Sequence, residues 1–228
     1  IIAEMVNRTD RFTTVEAGKV FSDLVTVRDK NIKHRGNAIY QELDNALSGE
    51  HVNLSAINQV LKEKFYNVDT AENSIRPSHA VQIKEIVGDT VRIQLEKAIE
   101  LEARRDAVAR FGEGGYSQAQ LREIINENRQ VIAEEIGLTK GFTNNTDYAR
   151  FYNILTNDTK QSDELIRTLT QTAHPMATGE FIIPATRLYD IHKLLVAGRR
   201  SLGESNSPQF VAYRDSINII KQELSQGN

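Results

Sequence analysis

Apolar residues recur along most of the chain at steps of three and four, the spacing that lines one face of an α-helix. Val15, Val20, Phe21, Leu24 and Val25 follow it behind Thr13 and Glu16, which stand three apart as a capping box does. After a turn at 30–36, Ala38, Ile39, Leu43, Ala46 and Leu47 repeat the spacing, and Ser48-Gly49 closes that segment. Ser55 predicts the N-cap of a short helix burying Ile57, Val60, Leu61 and Phe65.

Beyond Pro77-Ser78 two periods compete. Val81 and Ile83, then Val91, Ile93 and Leu95, alternate at period two around Gly88-Asp89, which is a hairpin signal. Glu85-Ile86-Val87 interrupts that alternation, and the run from Glu96 to Ala103 is rich in strong helix formers. The pattern therefore predicts a helix broken near Gly88, with a small β-hairpin over 81–95 as the alternative.

The remaining segments are punctuated more clearly. Gly112-Glu113-Gly114-Gly115 interrupts the chain, and Ser117 with Gln120 then predicts a capped helix burying Leu121, Ile125, Ile132 and Ile136 up to Gly137. Thr146 or Asp147 opens the next, with Tyr148, Phe151, Tyr152 and Leu155 inward. Ser162 caps a helix carrying Leu165, Ile166 and Leu169 that stops before Pro175. Pro184 starts a helix through Arg199 with Leu188, Ile191 and Leu195 on one face. Ser207-Pro208 repeats the device ahead of Phe210, Tyr213, Ile217, Ile220 and Leu224. The sum is an all-α, irregular multi-helix bundle of about nine or ten helices. It forms a single helical unit over 1–228, with a candidate lobe boundary at 112–116.

Composition narrows the class without naming a function. Hydrophobic residues make up 39% and charged residues 26%, which supports a full core and excludes the disordered class. The 28 basic residues face 31 acidic ones, so the basic excess of a dedicated nucleic-acid binder is missing. Clusters at Lys30-Lys33-Arg35, Arg104-Arg105-Arg110 and Arg199-Arg200 each have acidic neighbours and read as solvated faces. Cysteine is absent, which removes disulfides, thiolate metal sites and thiol nucleophiles together. No apolar run approaches the roughly 18 residues of a membrane span. The opening Ile1-Ile2-Ala3-Glu4 has no signal-peptide pattern and is expected to be a cut from a longer protein, cytoplasmic or delivered to a host cytosol.

Candidate chemistry centres on the histidines. None of the five, His34, His51, His79, His174 and His192, forms the close helical pair of a metal site, so no metal or cofactor is expected. His174 and His192 lie where a turn could bring them together, with Asp190 as an orienting carboxylate. The stretch from His174 to Glu180 resembles the opening of the Fic-type motif, His-Pro-Phe-x-x-Gly-Asn-Gly-Arg, of nucleotidyl-transferring proteins. There the His is the base on the target hydroxyl. Only His174, Pro175 and Gly179 match; Glu180, Phe181 and Ile182 replace the phosphate-binding half, and a carboxylate at Glu180 repels a triphosphate. No membership follows. Gly112–Gly115 lacks the Lys-Ser/Thr of a P-loop and reads as an interhelical loop. Tyr148, Phe151 and Tyr152 with Arg150 have the makings of a base-stacking platform, but at helical spacing they read as core.

The expected function is a helical protein–protein interaction module of a larger protein, with a protein partner. The alternative is an enzyme fragment, nucleotidyl- or phosphoryl-transferring, built on His174, Glu180 and His192. A nucleic-acid-binding helical domain is the third reading.

Overall fold

The computed structural model describes residues 22–23, 25–31, 34–35, 38, 41–42, 45–54, 57, 75–203 and 207–226. Its backbone divides into two units, residues 1–48 and 49–228, and the loop at 112–115 lies inside the second. In the first unit positions 25–31 and 45–46 are helical. The capping box at Thr13 lies outside the described residues, as does most of the helix expected behind Ser55.

The second unit is mostly helical. Its elements run β1 (His51–Asn53), α1 (Pro77–Phe111), α2 (Gln118–Glu135), α3 (Asn145–Leu155), α4 (Lys160–Thr172), a 3-10 turn (His174–Met176), β2 (Ile182–Pro184), α5 (Ala185–Ser201) and α6 (Pro208–Gln226). The elements just named in this unit are thus six α-helices and one 3-10 turn, where the sequence led to an expectation of about nine or ten helices over the whole chain, plus a two-stranded sheet. Two expectations fall at α1. It does not break near Gly88, and no hairpin forms over 81–95: one helix of 35 residues runs through both.

The reason is visible in its packing. Ile83, Val87, Val91, Leu95, Ile99, Ala103 and Ala107 are all buried, at strict steps of four. That row is a ridge of one helix, inclined to its axis, and it passes from one neighbour to the next along the helix. The alternation that imitated a strand arises where exposed Val81 and Ile93 flank this ridge. Gly88 is buried within the helix because the backbone of Asn145, at the start of α3, occupies the place of a β-carbon. A glycine that costs about 1 kcal/mol of helix propensity here permits close helix contact. α1 and α3 accordingly form the most extensive element pair.

Local signals set the remaining boundaries. Ser117 Oγ accepts from Gln120 N at 3.3 Å while Gln120 Oε1 accepts from Ser117 N at 2.8 Å, a complete capping box for α2. The cap of α3 is Asn144 rather than Thr146 or Asp147. Its Oδ1 accepts from Asp147 N at 3.0 Å, and the Asp147 carboxylate accepts from Thr143 N at 2.8 Å and Asn144 N at 3.2 Å. Likewise α4 is capped by Thr159, and Ser162 lies one turn inside, buried, donating to the Leu155 carbonyl at 2.8 Å. Both displacements have one cause: more than one Ser, Thr, Asn or Asp stands near each start, and propensity does not choose between them. Pro184 ends β2 and is the N-cap of α5, while Pro208 opens α6 with Ser207 Oγ accepting from Phe210 N at 3.2 Å.

The sheet was not legible in the sequence. Val52 pairs with Ile183 across an antiparallel ladder joining distant parts of the chain. Backbone bonds from Leu54 N to Phe181 O and from Ala185 N to Glu50 O, both 2.9 Å, extend it. Gln94 of α1 caps its edge: the side-chain amide donates to Ile182 O at 2.6 Å and accepts from Ile182 N at 3.1 Å. Phe181, Phe151 and Tyr152 meet edge-to-face behind it, at 6.2 and 5.3 Å between ring centroids.

Candidate functional site

Sequence reasoning singled out His174, Glu180 and His192. His174 is exposed in the 3-10 turn that follows α4, and Pro175 sets that turn. Glu180 is exposed before β2, its backbone N donating to Thr178 Oγ1 at 3.3 Å. His192 is half-buried on α5, stacked on Tyr189 with 5.8 Å between ring centroids. Its Nε2 is buried without a hydrogen-bond partner, and burial, then the charges of Lys221 and Arg199, hold the ring below its ordinary basicity. Among the described residues no hydrogen bond, ion pair or ring contact joins these three side chains. Asp190 is engaged by Lys193 at 2.7 Å. Nor do three His, Asp or Glu side chains among the described residues converge to hold a metal ion.

The aromatics of α3 are core, as their helical spacing led one to expect. Tyr148, Phe151 and Tyr152 are buried and only Arg150 faces out. Tyr148 stacks on Phe142 at 4.3 Å and donates its hydroxyl to Glu96 Oε1 at 2.7 Å. Arg129 of α2 grips the same carboxylate, with Nε at 2.9 Å from Oε1 and Nη2 at 2.6 Å from Oε2. Burial by itself raises the Glu96 pKa, but the bonds from Arg129 and Tyr148, with the charge of Arg92, more than offset it and hold the carboxyl below its ordinary range. Burial and the same carboxylate push the Tyr148 phenol up. The cluster ties α1, α2 and α3 together with every polar group engaged, which suits structure rather than chemistry. No short motif announces it, because its members come from three helices.

The unassigned feature is on α1. Beyond the body of the bundle, Ala103 and Ala107 pack on Leu121 and Ile124 of α2, with Tyr116 and Ile125 at the edge, forming a helical hairpin closed by the 112–115 loop. Two alanines let the helices approach closely. On a neighbouring face of α1, Ile93, Leu101, Val108 and Phe111 are 57%, 47%, 40% and 43% exposed, although such side chains are more often buried. At about 100° per residue the four fall within an arc of about 80°, together with Lys97 and Arg104, and they extend over about 27 Å of helix. From Lys97 onward the positions 97, 101, 104, 108 and 111 repeat at steps of four and three, the seam spacing of helix-on-helix contact.

The nearby arginines do not gather into a basic face. Arg104 pairs with Glu100 at 2.7 Å, Arg105 with Glu102 at 3.1 Å, and Arg110 with Asp106 at 2.6 Å. They point to different sides of the helix, and each carries its own carboxylate. No described helix is long and apolar enough to cross a membrane. No family model, curated protein or solved structure matches the chain.

Proposed function

We propose that the chain is a helical protein–protein interaction module of a larger protein, acting in a cytosol, and that its contact surface is the outer stripe of α1. The observation that carries this reading is the run Ile93, Leu101, Val108 and Phe111, four large apolar side chains left to solvent along one seam. Scattered exposed apolar residues are ordinary, whereas four on one arc of a helix, interleaved with Lys97 and Arg104 at seam spacing, suit a helix-docking face. Arginines already neutralised by neighbouring carboxylates favour a protein partner over a phosphate backbone, which draws its affinity from free cations.

The test is comparative capture of the partner from native cells. Leu101→Asp with Val108→Asp replaces two solvent-facing side chains, so the fold persists and the far-ultraviolet spectrum is unchanged. Loss of a partner retained by the unaltered chain supports the reading. Retention of that partner at equal affinity refutes it.

A further inference from the structure

The stripe on α1 is apolar only in part, and its two cations are not alike. Ile93, Leu101, Val108 and Phe111 share their arc with Lys97 and Arg104, so a surface that covers the row covers both charges as well. Arg104 brings its own counter-ion. Its Nη2 and Nε donate to Glu100 Oε1 at 2.7 and 3.2 Å, with both side chains about half exposed.

Lys97 has no such carboxylate. It is exposed between Ile93 and Leu101, each one turn away along the helix. The two acidic residues nearest to it in sequence are committed elsewhere, Glu96 to Arg129 and Tyr148, and Glu100 to Arg104. Among the described residues Lys97 takes part in no ion pair. Arg105, at the border of the arc, is paired with Glu102 at 3.1 Å, so the unbalanced charge of this face is Lys97 alone. In water it is well solvated. Under an apolar surface it would lose that hydration with nothing in return, whereas an opposing carboxylate restores a partner.

We infer that the occupant of the stripe is an acidic amphipathic helix of another protein, which sets a carboxylate against Lys97 and apolar side chains against Ile93, Leu101, Val108 and Phe111. This rests on the reading of α1 as the contact surface and adds the chemistry of its partner. A narrow row at steps of four and three along about 27 Å is the footprint of one helix lying lengthwise. A second copy of the chain is a poor match. Two stripes face to face bring two Lys97 and two Arg104 into one seam, with only the two Glu100 to offset them. A phosphate backbone or an anionic lipid surface draws its affinity from many free cations, and this face offers one.

The experiment titrates the whole 228-residue chain against three labelled synthetic peptides of about 20 residues, read by fluorescence anisotropy. Each peptide is an amphipathic helix with leucine at seam spacing, except at two seam positions seven apart, which are both Glu, both Gln or both Lys. The Glu peptide is expected to bind about tenfold more tightly than the Lys peptide, with Gln between, and the gap should narrow as salt is raised. Lys97→Glu exchanges an exposed side chain and keeps the fold; it should shrink that gap by about threefold or more. Leu101→Asp with Val108→Asp should weaken all three peptides. Equal binding of the three, binding of none, or a gap unchanged in Lys97→Glu overturns the inference. So does sedimentation showing a dimer of the chain that Leu101→Asp with Val108→Asp dissociates. Partner capture that depends on Leu101 and Val108, beside peptides that show no preference for Glu, removes the acidic helix and leaves the contact surface standing.

Discussion

The backbone of Asn145 fills the space that a β-carbon at Gly88 would occupy. This approach joins the middle of α1 to the first turn of α3, and it makes glycine a packing residue inside a long helix. Helix propensity and packing here give opposite signs for one substitution. Gly88→Ala gains about 1 kcal/mol from propensity. It also forces a methyl group into rigid backbone, an overpacking of about 1–3 kcal/mol or more. We expect a net loss, read as a melting temperature lower by several degrees; an unchanged or higher value would show that the two helices separate readily.

Glu96 joins three helices through one carboxylate. Glu96→Ala leaves Arg129 and Tyr148 without their acceptor, and stability should fall by about 1–3 kcal/mol. Glu96 and Asp147 are both held below their ordinary carboxyl values. For Asp147 burial acts in the opposite direction and is outweighed by the bonds from Thr143 and Asn144. The stability they contribute is present above the unfolded-state values and is lost as pH falls through the folded ones. Chemical denaturation at a series of acidic pH values should show this limb, and it should shrink in Glu96→Gln.

Two caps give a graded check on the helix starts. Ser117→Ala and Asn144→Ala each remove a side-chain acceptor from a helix N-terminus, for about 1 kcal/mol apiece. Ser162→Ala should act differently, since its hydroxyl is buried and bonded to the Leu155 carbonyl rather than capping. Urea midpoints of the three variants test the assignment; a capping-sized change in helix content from Ser162→Ala alone would contradict it.

These caps also show where sequence reasoning reached and where it stopped. The box at Ser117 and Gln120 was legible because both partners lie within one turn. Pro77, Pro208, Gly112 and Gly137 marked helix ends for the same local reason. The continuity of α1 was not legible. Gly88 reads as a break until the neighbour it admits is known, and that neighbour, Asn145, lies far along the chain. The pairing of Val52 with Ile183 and the convergence of Arg129 and Tyr148 on Glu96 are long-range in the same sense. The stripe on α1 was hidden differently. Its residues have helical spacing like any core face, and only the placement of α2 reveals that they are uncovered.

His174 offers a sharp negative expectation. It is exposed in a 3-10 turn, and Glu180, exposed as well, does not bond to it. His174→Ala should leave the melting temperature within about a degree, since surface changes away from special features usually stay within ±0.5 kcal/mol. Any activity of the parent protein should stay within about threefold, whereas loss of a general base costs about 10²–10⁴-fold. A large loss of activity with an unchanged melting curve would favour the enzyme reading.

The stripe itself is open to direct measurement by placing a photo-activatable side chain at Val108 in the native cell, with Gln161 on α4, also exposed, as the control position. If the outer face of α1 is the contact surface, irradiation produces a discrete protein adduct from Val108 and none from Gln161. The same adduct forming from Gln161, or none forming from Val108, would contradict the account.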